Sequence, residues 1–266
     1  MITGLDHMAV AVRDFDAAVD GYRRLLGREP DLEPRDGAKR AWFRLPNMAL
    51  EVIAPDGEGG AGDRLRARLD AAGEGLWLAA FRVDDVAAAA RLLARRGLEV
   101  EQVGALTRVH AAGLLFVLAP DPSAPLSPSV GAEAAAVAGL DHVVVHTPNP
   151  DRALGVYGAK FGLDLRLDRA NEAWGARQLF FRCGGAVFEI GASLKTPPSD
   201  EPDRFGGLAW RVTEPEAAQA RIAAAGFDVS EVRTGRKPGT KVFTVRDAPG
   251  GVPTLMLSAE PQKEPA

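Results

Sequence analysis

Two pairs of side chains have the types and spacing that could do chemistry. His7 opens the alternating stretch His7-Met8-Ala9-Val10-Ala11-Val12, and Glu51 stands between Leu50 and Val52 in a later apolar run. His142 and Glu189, the latter between Phe188 and Ile190, repeat the arrangement. Imidazole nitrogen and carboxylate oxygen together suit a divalent ion such as Fe, Mn, Zn or Ni. Side chains alternate along a strand, so each Glu must project away from its large apolar neighbours, and His7 shares a face with the small Ala9 and Ala11. That face could line a cavity while the other joins a core. The same residues also fit a plainer account: a strand-start His and an in-strand Glu, satisfied by hydrogen bonds, with no ion bound.

The elements that must position these groups are written twice. Gly4-Leu5-Asp6-His7 recurs as Gly139-Leu140-Asp141-His142, and Tyr22 and Gly27 recur as Tyr157 and Gly162, all 135 residues on. Phe43-Arg44 with Glu51 returns as Phe181-Arg182 with Glu189. Phe81-Arg82-Val83 has its counterpart in Trp210-Arg211-Val212, each followed by an Ala-rich segment. The first strand leads into a helix capped by Asp14, with an apolar stripe through Phe15, Ala18, Val19, Tyr22, Leu25 and Leu26, and stopped by Gly27. In the second copy Asn149 is the cap and Pro150 the first helical residue. Strands follow at 40–45 and 49–54, and at 177–183 and 186–190. Each half then resumes with a strand, a helix ended by Gly97 or Gly226, and further strands. The pattern is α+β: tandem βαβββ units, two in each of two modules. The modules are placed at 1–120 and 139–260, joined by a Pro-, Ser- and Ala-rich linker at 121–138. The tail beyond Ser258 carries no motif.

Composition sets bounds on partners. A net charge of −4 and a pI near 5.7 leave no basic surplus for nucleic acid or an anionic membrane. The single cysteine, Cys183, allows no internal disulfide and no cysteine zinc site. With neither a secretory signal nor an apolar run long enough to span a bilayer, a cytoplasmic location is expected. A small molecule is the expected partner, with a homodimer left open.

The stretches from His7 to Val12, Leu50-Glu51-Val52-Ile53-Ala54-Pro55, and Glu74 to Phe81 with Val83-Asp84-Asp85 resemble the vicinal-oxygen-chelate superfamily of glyoxalases, epimerases and extradiol dioxygenases. The resemblance spans both modules. It implies one metal ligand from the first strand and one from the last strand of each unit, with two units cupping one divalent ion that a substrate chelates through adjacent oxygens. This sequence departs from that pattern. Leu78 and Gly207 stand where the second unit of each module would offer His, and Val117 and Met256 align with its Glu. Ligand types survive only in the first units. One expected arrangement therefore gathers His7, Glu51, His142 and Glu189 around one ion; two separate weak sites, or no metal, are the others. The implied function is a metal-dependent lyase or isomerase acting on a small oxygen-rich substrate. The alternatives are an extradiol-type dioxygenase and a metal-free binding protein of the bleomycin-resistance type.

Weaker signals complete the reading. His146 shares the strand face of His142 and could assist it, whereas His110 has no repeat partner. Arg236, Lys237 and Lys241 flank the Pro238-Gly239 turn and could hold a substrate carboxylate or phosphate, although solvated loop charges are the commoner case. Glu58-Gly59-Gly60-Ala61-Gly62 lacks the Lys-Ser/Thr of a phosphate loop and reads as a flexible loop.

Overall fold

The computed structural model describes residues 1–34, 36–121, 135–236 and 238–258; most of the linker, Lys237 and the tail lie outside them. The first module runs β1 (Ile2–Ala11), α1 (Phe15–Leu26), β2 (Asp31–Leu32), β3 (Ala38–Arg44), β4 (Ala49–Pro55), α2 (Gly60–Ala72), β5 (Gly75–Val83), α3 (Val86–Arg95), β6 (Glu99–Val103), β7 (Leu106–Ala111) and β8 (Leu114–Pro120). The second runs β9 (Gly139–His146), α4 (Pro150–Ala153) continuing as a π-helical stretch (Leu154–Lys160), β10 (Asp164–Asn171), β11 (Ala176–Cys183), β12 (Ala186–Ser193), β13 (Arg204–Val212), α5 (Pro215–Ala224), β14 (Arg233–Thr234), β15 (Lys241–Val245) and β16 (Thr254–Ser258).

Each module forms one eight-stranded mixed sheet of the same order, β2-β3-β4-β1-β5-β8-β7-β6 and β10-β11-β12-β9-β13-β16-β15-β14. The first strands lie at the centre, β1 parallel to β4 and antiparallel to β5, and β9 likewise between β12 and β13. Local chemistry sets the helix ends as the sequence predicts: Asp14 accepts from Ala17 N, Asn149 accepts from Arg152 N, and Gly27 ends α1 at φ 67°.

One face of each sheet joins a single core shared by both modules. Phe81 and Phe116 of the first module stack 5.2 Å apart, and Phe81 lies 5.5 Å from Phe188 of the second. Tyr22 and Tyr157 are fully buried, with their rings 6.2 and 6.0 Å from Phe43 and Phe181 of their own sheets. Asn47 clamps the modules by donating to Leu140 O and Gly185 O while accepting from Leu140 N. The core faces of the two sheets therefore look toward each other, and the other faces look away.

Helix α2 is a departure from the expected loop. The glycine-rich segment opens it, and Ala61, Leu65 and Leu69 pack on Ala11, Ala38 and Ile53 on the outer face of the first sheet. A Cβ on Gly62 would stand 2.3 Å from Gly37 O, so the glycine permits a close approach of helix to turn.

Candidate functional site

His7 and His142 project from the outer faces of their sheets, because Met8 and Val10, and Val143 and Val145, take the core side. Register brings each His to the Glu of its own module. Ala9 pairs with Glu51 and Val144 with Glu189, leaving His7 Nε2 3.6 Å from Glu51 Oε2 and His142 Nε2 3.3 Å from Glu189 Oε2. The preceding aspartates hold the other ring nitrogens, at 2.7 Å for Asp6 and 2.8 Å for Asp141. Burial pushes the Asp141 carboxyl up, but bonds from His142 and Arg211 outweigh it and hold the group below its ordinary value.

The four groups expected around one ion stand as two separate pairs. They lie on faces turned away from the shared core, and among the described residues no three His, Cys, Asp or Glu side chains are placed to hold a metal. The donor sets do not fit a resident four-ligand ion. The second units cannot complete either pair: Leu78 and Val117 join Ala9 and Ala80 in an apolar cluster, and a Cβ on Gly207 would stand 2.4 Å from Pro253 O. Met256 is a core residue. Its neighbour Leu255, opposite Ala209, is the outer-face equivalent of Val117, so the sequence alignment is one residue off.

The two sites differ in charge and access. In the first, Arg40 Nη1 lies 2.6 Å from Glu51 Oε1, Trp42 sets its ring edge-on to His7 at 4.9 Å, and Glu51 is 2% exposed. A guanidinium already neutralises that carboxylate, and α2 covers the same face. In the second, the register-equivalent residue is Gln178, whose amide donates to Glu189 Oε1 at 2.5 Å. No guanidinium pairs with Glu189 among the described residues, and its side chain is 18% exposed.

The second sheet closes into a cup. If flat, its edge strands β10 and β14 would stand roughly 34 Å apart, from seven spacings of about 4.8 Å. Yet Arg236, from the β14–β15 loop, lies 4.5 Å from the ring centre of Trp174 in the β10–β11 turn. The floor and walls, among them His142, Val144, Phe180 and Glu189, are partly exposed. His146 is exposed at the strand end, and a Cβ on Gly206 would collide with its ring. His110 lies 3.8 Å from Glu101, and Lys241 is engaged with Glu216. The sequence reading missed Arg40 and Gln178. The signal was present in the repeat, since each lies eleven residues before its module's Glu.

Residues 6–117 and 139–253 each match a family model described as the glyoxalase/bleomycin resistance protein/dioxygenase superfamily. A 62-residue stretch is 44% identical to an ethylmalonyl-CoA/methylmalonyl-CoA epimerase of Cereibacter sphaeroides; it is 22% of this chain and spans about half, 46%, of that relative. Among solved structures, a mutant 4-hydroxymandelate synthase from Streptomyces coelicolor is 15% identical at a TM-score of 0.77, over 100% of this chain and 95% of its own. A Mn(II)-bound glyoxalase from Novosphingobium aromaticivorans is 17% identical at 0.70, over 97% and 82%. These likenesses show a common fold. No helix among the described residues is long and apolar enough to cross a membrane.

Proposed function

The chain belongs to the glyoxalase/bleomycin resistance protein/dioxygenase superfamily, and within it we propose an enzyme of lyase or isomerase type that moves a proton on a small oxygen-rich substrate in the cup of the second module. The observation that carries this reading is the row Asp141–His142–Glu189 on the floor of that cup, with a neutral amide where the first module has a guanidinium. Asp141 stands at hydrogen-bond distance from Nδ1 and Glu189 Oε2 lies 3.3 Å from Nε2, so a proton taken up at Nε2 is shared with that carboxylate. His142 is then placed to take a proton from a carbon next to a carbonyl, and Glu189 to stabilise the resulting imidazolium. The curated relative is an epimerase by name, which accords with proton transfer at carbon. The equivalent face of the first module, covered by α2 and with Glu51 neutralised by Arg40, serves the fold. The dioxygenase alternative lacks two of the ligands it needs.

The test is exchange of the C3 protons of phenylpyruvate in D2O, followed by proton NMR. The wild-type chain and His7→Ala are expected to accelerate exchange, and His142→Ala to abolish the acceleration. Acceleration that survives His142→Ala but not His7→Ala would refute the assignment. The missing third donor also favours a second reading, a metal-free binding protein. That reading expects ligand-induced stabilisation without exchange in the wild-type chain.

A further inference from the structure

We propose that the mouth of the second cup is a carboxylate-binding subsite made by Arg169, Arg236 and Trp174, so that the ligand is a small organic acid with a planar or apolar body; this rests on the second cup being the working site. Arg169 lies on the edge strand β10, directly opposite Gln178, and its Nη2 donates to Gln178 Oε1 at 2.8 Å. Its guanidinium stands 5.6 Å from the ring centre of Trp174 and 6.0 Å from that of Phe180. Arg236 reaches the same Trp174 ring from the opposite edge of the sheet, at 4.5 Å. Neither arginine pairs with a carboxylate among the described residues, and Arg169 Nε is buried with no hydrogen-bond partner. Two cations gathered on one aromatic ring repel each other, so an anion between or beside them relieves a real cost. A guanidinium stacked on a ring keeps its in-plane N–H groups available for a carboxylate.

The first module shows what the second has changed. There the residue opposite Arg40 is the acidic Glu33, whose backbone N donates to Arg40 O. Running inward from the edge, the first module reads Glu33, Arg40, Glu51 and the second reads Arg169, Gln178, Glu189. The positive charge has moved from the floor, where it neutralised the glutamate, to the mouth. The second cup thus has a cationic rim and an anionic floor. Trp174 and Leu167, each 46% exposed, supply an apolar wall between them. A molecule with a carboxylate at one end and a weakly acidic C–H at the other matches both ends.

The test measures binding by calorimetry of benzoate, phenylacetate and phenylpyruvate, each against its primary amide, to the full chain at pH 7. We expect the wild-type chain to prefer the acids by roughly tenfold or more, the scale of one bidentate charged contact. Arg169→Gln should bring that preference below about threefold, and Arg236→Gln, an exposed change that leaves the fold alone, should weaken it. Arg169→Lys, which keeps the charge but loses the fork, should retain part of it. His142→Ala should keep the full preference, which separates this subsite from the proton-transfer reading. A preference that is present without exchange refutes only that reading. Equal binding of acid and amide by the wild-type chain, binding of none of the acids, or a preference untouched in both arginine variants would overturn the subsite. Competition by inorganic phosphate as strong as by the aryl acids would overturn the planar or apolar body.

Discussion

Replacing Gln178 by Arg copies into the second module the pairing that Arg40 makes with Glu51 in the first. The registers are equivalent, since Arg40 and Gln178 each lie two residues before the residue opposite the Glu, and Arg40 already sits 2.6 Å from its carboxylate without disturbing the sheet. A guanidinium with its charge about 4 Å from Glu189 would attract it by about 4 kcal/mol at an effective dielectric near 20. The Glu189 side chain is 18% exposed, so screening reduces this to about 2 kcal/mol. Glu189 would then be held by the arginine instead of stabilising the imidazolium of His142. At about 1.4 kcal/mol per factor of ten, exchange should slow by about 30-fold. The melting temperature should fall by no more than a few degrees, because the new pair with Glu189 offsets the loss of the Gln178 acceptor to Arg169 and the repulsion between the two guanidinium groups. The reciprocal change, Arg40→Gln, puts a neutral amide where a 2% exposed carboxylate has a guanidinium and should cost about 1.5–3 kcal/mol while leaving exchange rates of the folded protein intact. Exchange by Gln178→Arg at the wild-type rate would refute the claim that a free Glu189 distinguishes the working cup. Loss of exchange in folded Arg40→Gln would refute the division of labour.

Gly62→Ala places a methyl 2.3 Å from Gly37 O and should destabilise the chain by roughly 1–3 kcal/mol in urea unfolding, with exchange per folded molecule unchanged. Burial pushes both tyrosine hydroxyls up, helped at Tyr157 by Asp203, so their protonated forms are favoured by folding; stability should be full below the ordinary value of 10.0 and decline as pH rises beyond it. Phenolate absorbance should therefore appear together with unfolding, and Tyr157→Phe should move alkaline unfolding to higher pH. Burial pushes the Cys183 thiol up to about 12, so a disulfide reagent at pH 8 should label it at the rate of opening and immediately in urea; instant labelling of the native chain would contradict its placement.

Much of this was legible in the residues themselves. Repeated short patterns, Asp14 and Asn149 at helix starts, and alternation around Glu51 and Glu189 are local signals, and local signals determine which face of a strand a side chain takes. They gave two modules of paired units and placed each His and Glu on an outer face. The residues could not say which outer faces meet. His7 and His142 read as partners because they are equivalent in sequence, yet the large apolar residues on the opposite faces, Phe81, Phe116, Phe181 and Phe188, bury themselves in one core and so turn the two outer faces apart. Helix α2 was hidden because glycines lower helix propensity, and only the tight approach to Gly37 O shows why they are there. The contrast between Arg40 and Gln178 was also present in the chain, but its meaning depends on strand register. Pairing across β3–β4 and β11–β12 brings one a guanidinium and the other an amide to a glutamate eleven residues away, and so decides which carboxylate is neutralised and which stays free.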